Sequence, residues 1–278
     1  MYYFFLIGKF LSLIFPRDVC YVLANFLATL QFYISKKDRE TVEYNLYPIV
    51  EDKKRIEKYA KEVFINFAYY LVDFFRYSKF DKVFLEKYVK VSGLDNLDQS
   101  LSRHKGILVV SAHLGNYELA GAVTSILGYS VYAIALPHKN RHLNKFFNKQ
   151  REMVGIKIIP ASLAVKGCFS LLKQGRLVAF LGDRDFFGGG LEVSMFSRSA
   201  ILPRGPAFFA TKSGAEIIPA FFIRENKKFY RLIFEKPILV VGEGIRIQED
   251  IIIKYANILE QYIKRYPGQW YMFAKYWL

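Results

Sequence analysis

Gly106-Ile107-Leu108-Val109-Val110-Ser111-Ala112-His113-Leu114-Gly115-Asn116-Tyr117-Glu118-Leu119-Ala120-Gly121 decides how this chain folds. Ile107–Ser111 is short and almost wholly apolar, the pattern of a strand covered on both faces. Gly115 permits a tight turn. Asn116 is a natural N-cap, and Tyr117–Leu127 reads as the helix it starts, with Gly128 placed to end it. A buried strand, a tight loop and a helix form the repeating unit of a parallel α/β sheet.

The same texture continues downstream. Strands are expected at Val131–Leu136, Lys157–Pro160, Leu177–Leu181, Ile217–Ile223 and Phe229–Glu235. Helices are expected at Leu143–Val154, Leu163–Lys173, Gly205–Lys212 and Glu249–Tyr266, several of them closed by glycine. The last two strands read as an antiparallel hairpin turning at Glu225-Asn226-Lys227-Lys228. The expected fold class is therefore α/β, a mostly parallel mixed sheet flanked by helices.

Upstream the chain reads as helical. Ile56, Tyr59, Ala60, Val63, Phe64, Phe67, Leu71, Phe74 and Phe75 recur at spacings of three and four, which predicts an amphipathic helix over 52–76 with Asp52 as its cap. Met1 to Phe15 is apolar apart from Lys9. Pro16-Arg17-Asp18 interrupts, Val19 to Ile34 resumes, and Lys36, Lys37 and Arg39 follow. Neither run reaches the roughly 20 apolar residues that span a bilayer comfortably. Residues 1–38 are thus expected to be a membrane-associated helical segment, two short helices lying in one leaflet with the basic cluster on phosphates. A single tilted span, or two helices packed on the protein's own core, are the alternatives. Residues 39–278 form the remaining unit, helical over 39–100 and an α/β core over 101–278.

Composition narrows the partners. The net charge of +15, from 40 Lys+Arg against 25 Asp+Glu, suits a polyanion: nucleic acid, anionic lipid or an acidic carrier protein. An aromatic share of 17% beside those cations favours a lipid surface, and no RNA-recognition or helix-turn-helix pattern supports nucleic acid. Cys20 and Cys168 are far apart and lack metal-ligand spacing, so both read as core residues and no metal is expected.

His113 falls just beyond the carboxyl end of the first strand, where open α/β sheets place ligands. On a regular helix, positions five apart diverge by about 140°, so His113 and Glu118 meet only if His113 lies in the loop and Glu118 in the first helical turn. Such a pair is a general-base device: a neutral imidazole takes a proton from an attacking hydroxyl, and the carboxylate orients the ring. Ser111 precedes the loop and lacks the Gly-x-Ser-x-Gly elbow of a nucleophile.

His113-Leu114-Gly115-Asn116-Tyr117-Glu118 resembles the His-x4-Asp/Glu signature of glycerolipid acyltransferases. It is closer still to the lipid A biosynthesis lauroyl/myristoyl acyltransferase family, whose relatives include phosphatidylinositol mannoside acyltransferases. That family often reads His-Phe-Gly-Asn-Trp-Glu here, so Leu114 and Tyr117 are mild departures. Phe15-Pro16, Asn45-Leu46, the block of Pro137, Asn140, Arg151 and Gly155, Gly182-Asp183-Arg184-Asp185, and Pro267-x-Gln269-Trp270 extend the resemblance over nearly the whole chain. Gly190-Leu191-Glu192-Val193 is similar to the mannoside-acylating branch.

The resemblance implies an O-acyltransferase moving a fatty acyl chain from an acyl thioester to a hydroxyl of a membrane glycolipid or phospholipid. His113 is the expected base and Glu118 its orienting carboxylate. Asn116, Arg151, Asp183, Arg184, Asp185, Glu192 and Arg204 are the expected substrate contacts. Asp183-Arg184-Asp185 follow a strand end and can converge with His113, or form only a capped turn with an internal ion pair. Glu192 meets an acceptor sugar or forms a surface ion pair. Arg204, beside Gly205-Pro206, marks a helix start that can bind an anion or is simply a proline-initiated helix. Backbone N–H groups near Gly115–Tyr117, or Arg184, are the expected oxyanion donors. No cofactor is expected; the donor, acyl carrier protein or coenzyme A, is a cosubstrate. Membrane lipids are the expected partners, at the cytoplasmic face of the inner membrane. Pro267–Tyr271 is assigned to packing near the membrane. The alternatives are a lipid ester or thioester hydrolase using the same dyad, or a non-catalytic basic membrane-binding protein.

Overall fold

A computed structural model describes residues 2–103, 105–186 and 188–278; Met1, His104 and Phe187 lie outside it. The chain begins with four helices: α1 (Tyr2–Ile14), α2 (Arg17–Ile34), α3 (Lys36–Val50) and α4 (Lys53–Phe75). Pro16 separates the first two, as its missing N–H and fixed φ require of a residue between helices. Asp52 Oδ1 accepts from the Arg55 N–H at 2.8 Å and caps α4, worth about 1 kcal/mol for such a cap. There follow α5 (Lys82–Tyr88), β1 (Val89–Ser92), α6 (Leu94–Ser102), β2 (Ile107–Ser111), α7 (Tyr117–Ile126), β3 (Val131–Ala135), α8 (Arg141–Met153), β4 (Lys157–Pro160), α9 (Ala164–Lys173), β5 (Leu177–Leu181), β6 (Leu191–Met195), β7 (Arg198–Leu202), α10 (Gly205–Ser213), β8 (Glu216–Arg224), β9 (Tyr230–Phe234) and α11 (Ile245–Arg265).

Among the described residues the main sheet has seven strands in the order β1-β9-β8-β2-β5-β3-β4. Only β8 and β9 pair antiparallel within it, as the expected hairpin. The other neighbours run parallel. β1 was not foreseen, because Val89–Ser92 is four residues long and closes an edge beside β9. The small β6–β7 hairpin was also missed. Its turn residues Phe196 and Ser197 adopt positive φ, conformations that their side chains do not advertise.

The sheet is buried on both faces. Along β2, Ile107 and Val109 join the core with α7 and α8, while Leu108 and Val110 join the core with α9, α10 and α11. This strict alternation explains the near-continuous apolar strand. Cys20 and Cys168 are free and buried, as expected.

α2 packs on α4 through Tyr21, Ala24, Ala28 and Phe32. The opposite faces of α1 and α2 leave Phe4, Ile7, Phe10, Ile14, Val22, Phe26, Leu30 and Ile34 exposed. No helix among the described residues is long and apolar enough to cross a membrane, so the tilted-span alternative has no helix to match it.

Candidate active site

β2 and β5 are adjacent, parallel and in register to their ends, with Ser111 opposite Leu181. Two residues further along each strand come His113 and Asp183. The equal offsets bring the two side chains together: His113 Nδ1 lies 2.9 Å from Asp183 Oδ1, and the His113 N–H donates to Asp183 Oδ2 at 2.9 Å. Trp270 Nε1–H also points at Oδ2, at 3.4 Å. Asp183 is fully buried, whereas the His113 side chain keeps 20% of its surface.

Burial by itself would lower the His113 pKa, but the charge and hydrogen bond of Asp183 outweigh it, and the imidazole titrates above the ordinary histidine value. Burial likewise would raise Asp183, and the opposing pull of His113 holds that carboxyl below the usual carboxylate range. The two shifts agree: Asp183 is an anion that favours an imidazolium beside it. With Asp183 accepting at Nδ1, the tautomer that suits the pair leaves Nε2 as an acceptor, the atom a general base uses.

The expected partner of the ring was Glu118, and here the geometry differs. His113 lies in the loop and Glu118 in the first turn of α7, as the spacing required. Yet Glu118 faces Arg151 of α8, which donates from Nε at 3.0 Å and from Nη2 at 2.5 Å in a fork against the carboxylate. Both side chains are largely buried, at 14% and 11% exposure. A bidentate guanidinium is a stronger partner for a buried carboxylate than a neutral ring, and Arg151 reaches Glu118 because α7 and α8 cover the same apolar core. The carboxylate on the imidazole is thus Asp183, expected to converge with His113 but as a substrate contact.

Asn116 caps α7 as expected, and its amide has a second partner within the fold. It is buried, its Oδ1 accepts from the Leu119 N–H at 3.1 Å as the α7 cap, and its Nδ2 donates to Asp73 Oδ2 at 3.0 Å. Both ends of the amide are committed to the fold. Asp73 is the hub of a buried cluster that nothing in the sequence marked. Tyr21 Oη donates to Oδ1 at 2.5 Å, Arg224 donates to Oδ2 at 2.9 Å, Tyr230 Oη also donates to Oδ2, and Arg17 Nε lies 3.4 Å from Oδ1. The cluster ties α2, α4 and the β8–β9 hairpin to the turn that carries His113.

That turn is shaped by Gly115, whose φ is +64° and where an added Cβ would fall 2.1 Å from the Phe222 carbonyl oxygen. No other residue fits. The segment 267–271, assigned from sequence to packing near the membrane, instead frames the site. Gly115 N–H donates to Gln269 O, Tyr271 N–H donates to His113 O, and Trp270 reaches Asp183. Gln269 further clasps Arg224 through both its amide atoms. The sequence motif containing Gln269 and Trp270 was the signal for this role.

His113, Glu118, Arg151, Arg184, Asp185 and Arg204 all line one cavity of about 740 Å³. It runs from this polar rim down to apolar walls: Val109, Ala133, Ala179 and Ala220 from the sheet, and Gly121 and Thr124 from α7. Short side chains on four neighbouring strands, β8, β2, β5 and β3, leave the room that larger ones would fill. Arg184 is exposed at the rim, with its guanidinium 4.7 Å from the Phe186 ring centre. Phe186 in turn meets the His113 ring edge-on. Asp185 accepts from the Gly190 N–H at 2.8 Å. Arg204 lies 3.3 Å from Glu249 and precedes α10. Glu192 is exposed on β6 and is not among the residues lining the cavity; strand alternation turns it outward between the inward-facing Leu191 and Val193.

His113 thus lies on a largely apolar cavity that Arg151, Arg184 and Arg204 also line, the kind of space that suits an apolar ligand with a charged end. Comparison with known proteins agrees. Phosphatidylinositol mannoside acyltransferase of Mycobacterium tuberculosis is 26% identical over 192 residues, covering 68% of this chain and 60% of the relative. The Mycolicibacterium smegmatis protein of the same name is 24% identical over 218 residues, covering 77% and 70%. Lipid A biosynthesis palmitoleoyltransferase of Escherichia coli is 28% identical over 190 residues, covering 67% and 60%. The match thus spans about 60% of the length of the first of these relatives. Residues 1–278 match the family described as bacterial lipid A biosynthesis acyltransferase, and the chain belongs to that family.

Proposed function

We propose that this protein is an O-acyltransferase that moves a fatty acyl chain from a thioester to a hydroxyl of a membrane glycolipid. The observation that carries this reading is the His113–Asp183 pair at the mouth of the 740 Å³ apolar cavity. The acyl chain lies between α7 and the sheet. The thioester carbonyl stops beside His113. The acceptor hydroxyl gives its proton to His113 Nε2 as its oxygen attacks, and Asp183 stabilises the imidazolium. The tetrahedral intermediate collapses, the carbon–sulfur bond breaks, and the thiolate takes the proton back from His113. Glu118 and Arg151 form a fixed ion pair at the rim that holds the start of α7 and presents charge to the donor's polar end. Arg184 and Arg204 meet phosphate groups of the donor or acceptor.

The exposed apolar faces of α1 and α2 rest in the outer part of one leaflet, at the cytoplasmic face of the inner membrane. Lys36, Lys37 and Arg39 contact headgroup phosphates there. An acyl carrier protein or coenzyme A brings the acyl chain from the aqueous side. The family membership and the relatives named for phosphatidylinositol mannoside and lipid A support a glycolipid acceptor.

A hydrolase would use the same pair on water. Thiol release from an acyl thioester, measured with and without a glycolipid acceptor, separates the two. Acyl transfer predicts release that depends on the acceptor and matches acylated lipid formed; acceptor-independent release would overturn it.

A further inference from the structure

The sheet face that carries His113 also carries a hydroxyl without a hydrogen-bond partner among the described residues. Leu108, Val110 and Ala112 belong to the core beneath α9, α10 and α11, whereas Val109, Ser111 and His113 line the cavity. Strand alternation therefore continues two residues past the end of β2. It sets Ser111 and His113 on one side, about 6.6 Å apart along the strand direction. The Ser111 carbonyl is held by Tyr255 Oη at 2.6 Å and by the Gly182 N–H at 2.7 Å, so this strand end is fixed. Ser111 Oγ, in contrast, is buried and has no hydrogen-bond partner among the described residues. A buried hydroxyl left in this way is destabilising and uncommon, and invites a functional explanation.

The turn itself offers little to a developing oxyanion. The His113 N–H goes to Asp183, the Gly115 N–H to Gln269 O, the Asn116 N–H to Phe222 O, and the Leu119 N–H to Asn116 Oδ1. Two of the three amides of Gly115–Tyr117, and those of His113 and Leu119 on either side, are committed to the fold. The Ser111 hydroxyl rotates about one side-chain bond and bonds to no acceptor among the described residues.

We propose that Ser111 Oγ donates a hydrogen bond to the carbonyl oxygen of the acyl donor as that oxygen becomes an oxyanion. This rests on the acyl-transfer reading. When the acceptor oxygen bonds to the carbonyl carbon, the acceptor proton passes to His113. The carbonyl π electrons move onto the oxygen facing Ser111 and return when the thiolate leaves. The serine is not a nucleophile and no covalent intermediate forms on it.

The test compares wild type, Ser111→Ala and His113→Ala in one acyl-transfer assay with a medium-chain acyl thioester and a glycolipid acceptor in detergent, alongside thermal unfolding. Ser111→Ala is expected to lower kcat by about 10²-fold, the scale for one oxyanion donor, with donor KM changed less than threefold. Its melting temperature is expected to hold or rise, because an unsatisfied hydroxyl has been removed. A kcat within twofold of wild type, a change confined to KM, or a lowered melting temperature with parallel loss of folded protein would each overturn the role. If His113→Ala also keeps wild-type transfer, the acyl-transfer reading itself fails. If His113→Ala is inactive while Ser111→Ala is normal, only the role of Ser111 fails.

Discussion

His113 and Asp183 stand at matching offsets beyond the ends of two paired parallel strands, and the 2.9 Å contact between Nδ1 and Oδ1 follows from that register. The orientation of the imidazole is thus set by the register of the sheet. Replacing Asp183 with Asn keeps the shape and removes the charge. The amide would donate to Nδ1, shift the ring proton to Nε2 and leave it unable to accept. Turnover should fall by up to about 10⁴-fold, as for the equivalent change in a serine protease triad.

The pH profile gives the same substitution a sign. On the proposed mechanism His113 acts as a base when neutral, so activity is expected to rise as pH climbs through its pKa. Asp183 raises that pKa above the ordinary value against the lowering effect of burial. The acid limb of kcat/KM in the wild type should therefore lie on the alkaline side of the ordinary histidine pKa of about 6.5. In Asp183→Asn the residual activity should show that limb moved to lower pH. An unmoved limb would mean that another group controls it.

Glu118 and Arg151 should behave as one unit. Removing either partner leaves a charge stranded in a largely buried site, which typically costs about 3–5 kcal/mol. Glu118→Gln and Arg151→Met should each lower stability by that order in urea denaturation, and the double variant should be more stable than the sum of the two losses predicts. Strict additivity would show that the pair contributes nothing jointly.

Asp73, which braces the His113 turn through Asn116, makes a comparable prediction. Asp73→Asn would leave Arg17 and Arg224 facing one another without their shared anion. We expect a loss of about 3–5 kcal/mol and faster proteolysis of the α1–α2 segment, because the cluster adds to the apolar packing of α2 on α4 and joins α2 to the hairpin. Unchanged protease sensitivity would assign the cluster a local role only.

Much of the fold was legible because buried parallel strands and glycine-closed helices leave strong local patterns. The six expected strands appear, with ends moved by a residue or so, and Asp52 and Asn116 cap the helices foreseen for them. The site was legible in part. The five-residue spacing correctly put His113 in a loop, but the identity of its partner depends on which strands are neighbours, and strand order is not written locally. Glu118 was nearer in sequence, while Asp183 was nearer in space because β5 lies between β2 and β3. The Asp73 cluster joins residues from positions 17, 21, 73, 224 and 230, none in a common motif, so no window of sequence could assemble it. Gln269 and Trp270 were visible as a motif, yet their function is to brace a turn more than 150 residues earlier.

Membrane docking through α1 and α2 can be measured directly. Vesicles containing anionic lipid should sediment the wild-type protein. A Phe10→Glu, Phe26→Glu double variant should bind at least tenfold more weakly, since both rings are exposed and make little of the core. Raising the salt concentration should weaken wild-type binding only partly, because apolar insertion is insensitive to screening. Equal binding by the double variant would place the contact elsewhere.

The central claim is that His113 is the base for acyl transfer. Its most direct test is transfer of a labelled acyl group from a thioester to a glycolipid acceptor by purified His113→Ala, with circular dichroism and vesicle binding recorded on the same preparation. The structure predicts loss of transfer by at least about 10²–10⁴-fold in a protein that folds and binds membranes as the wild type does. Transfer at the wild-type rate by that folded variant would contradict it.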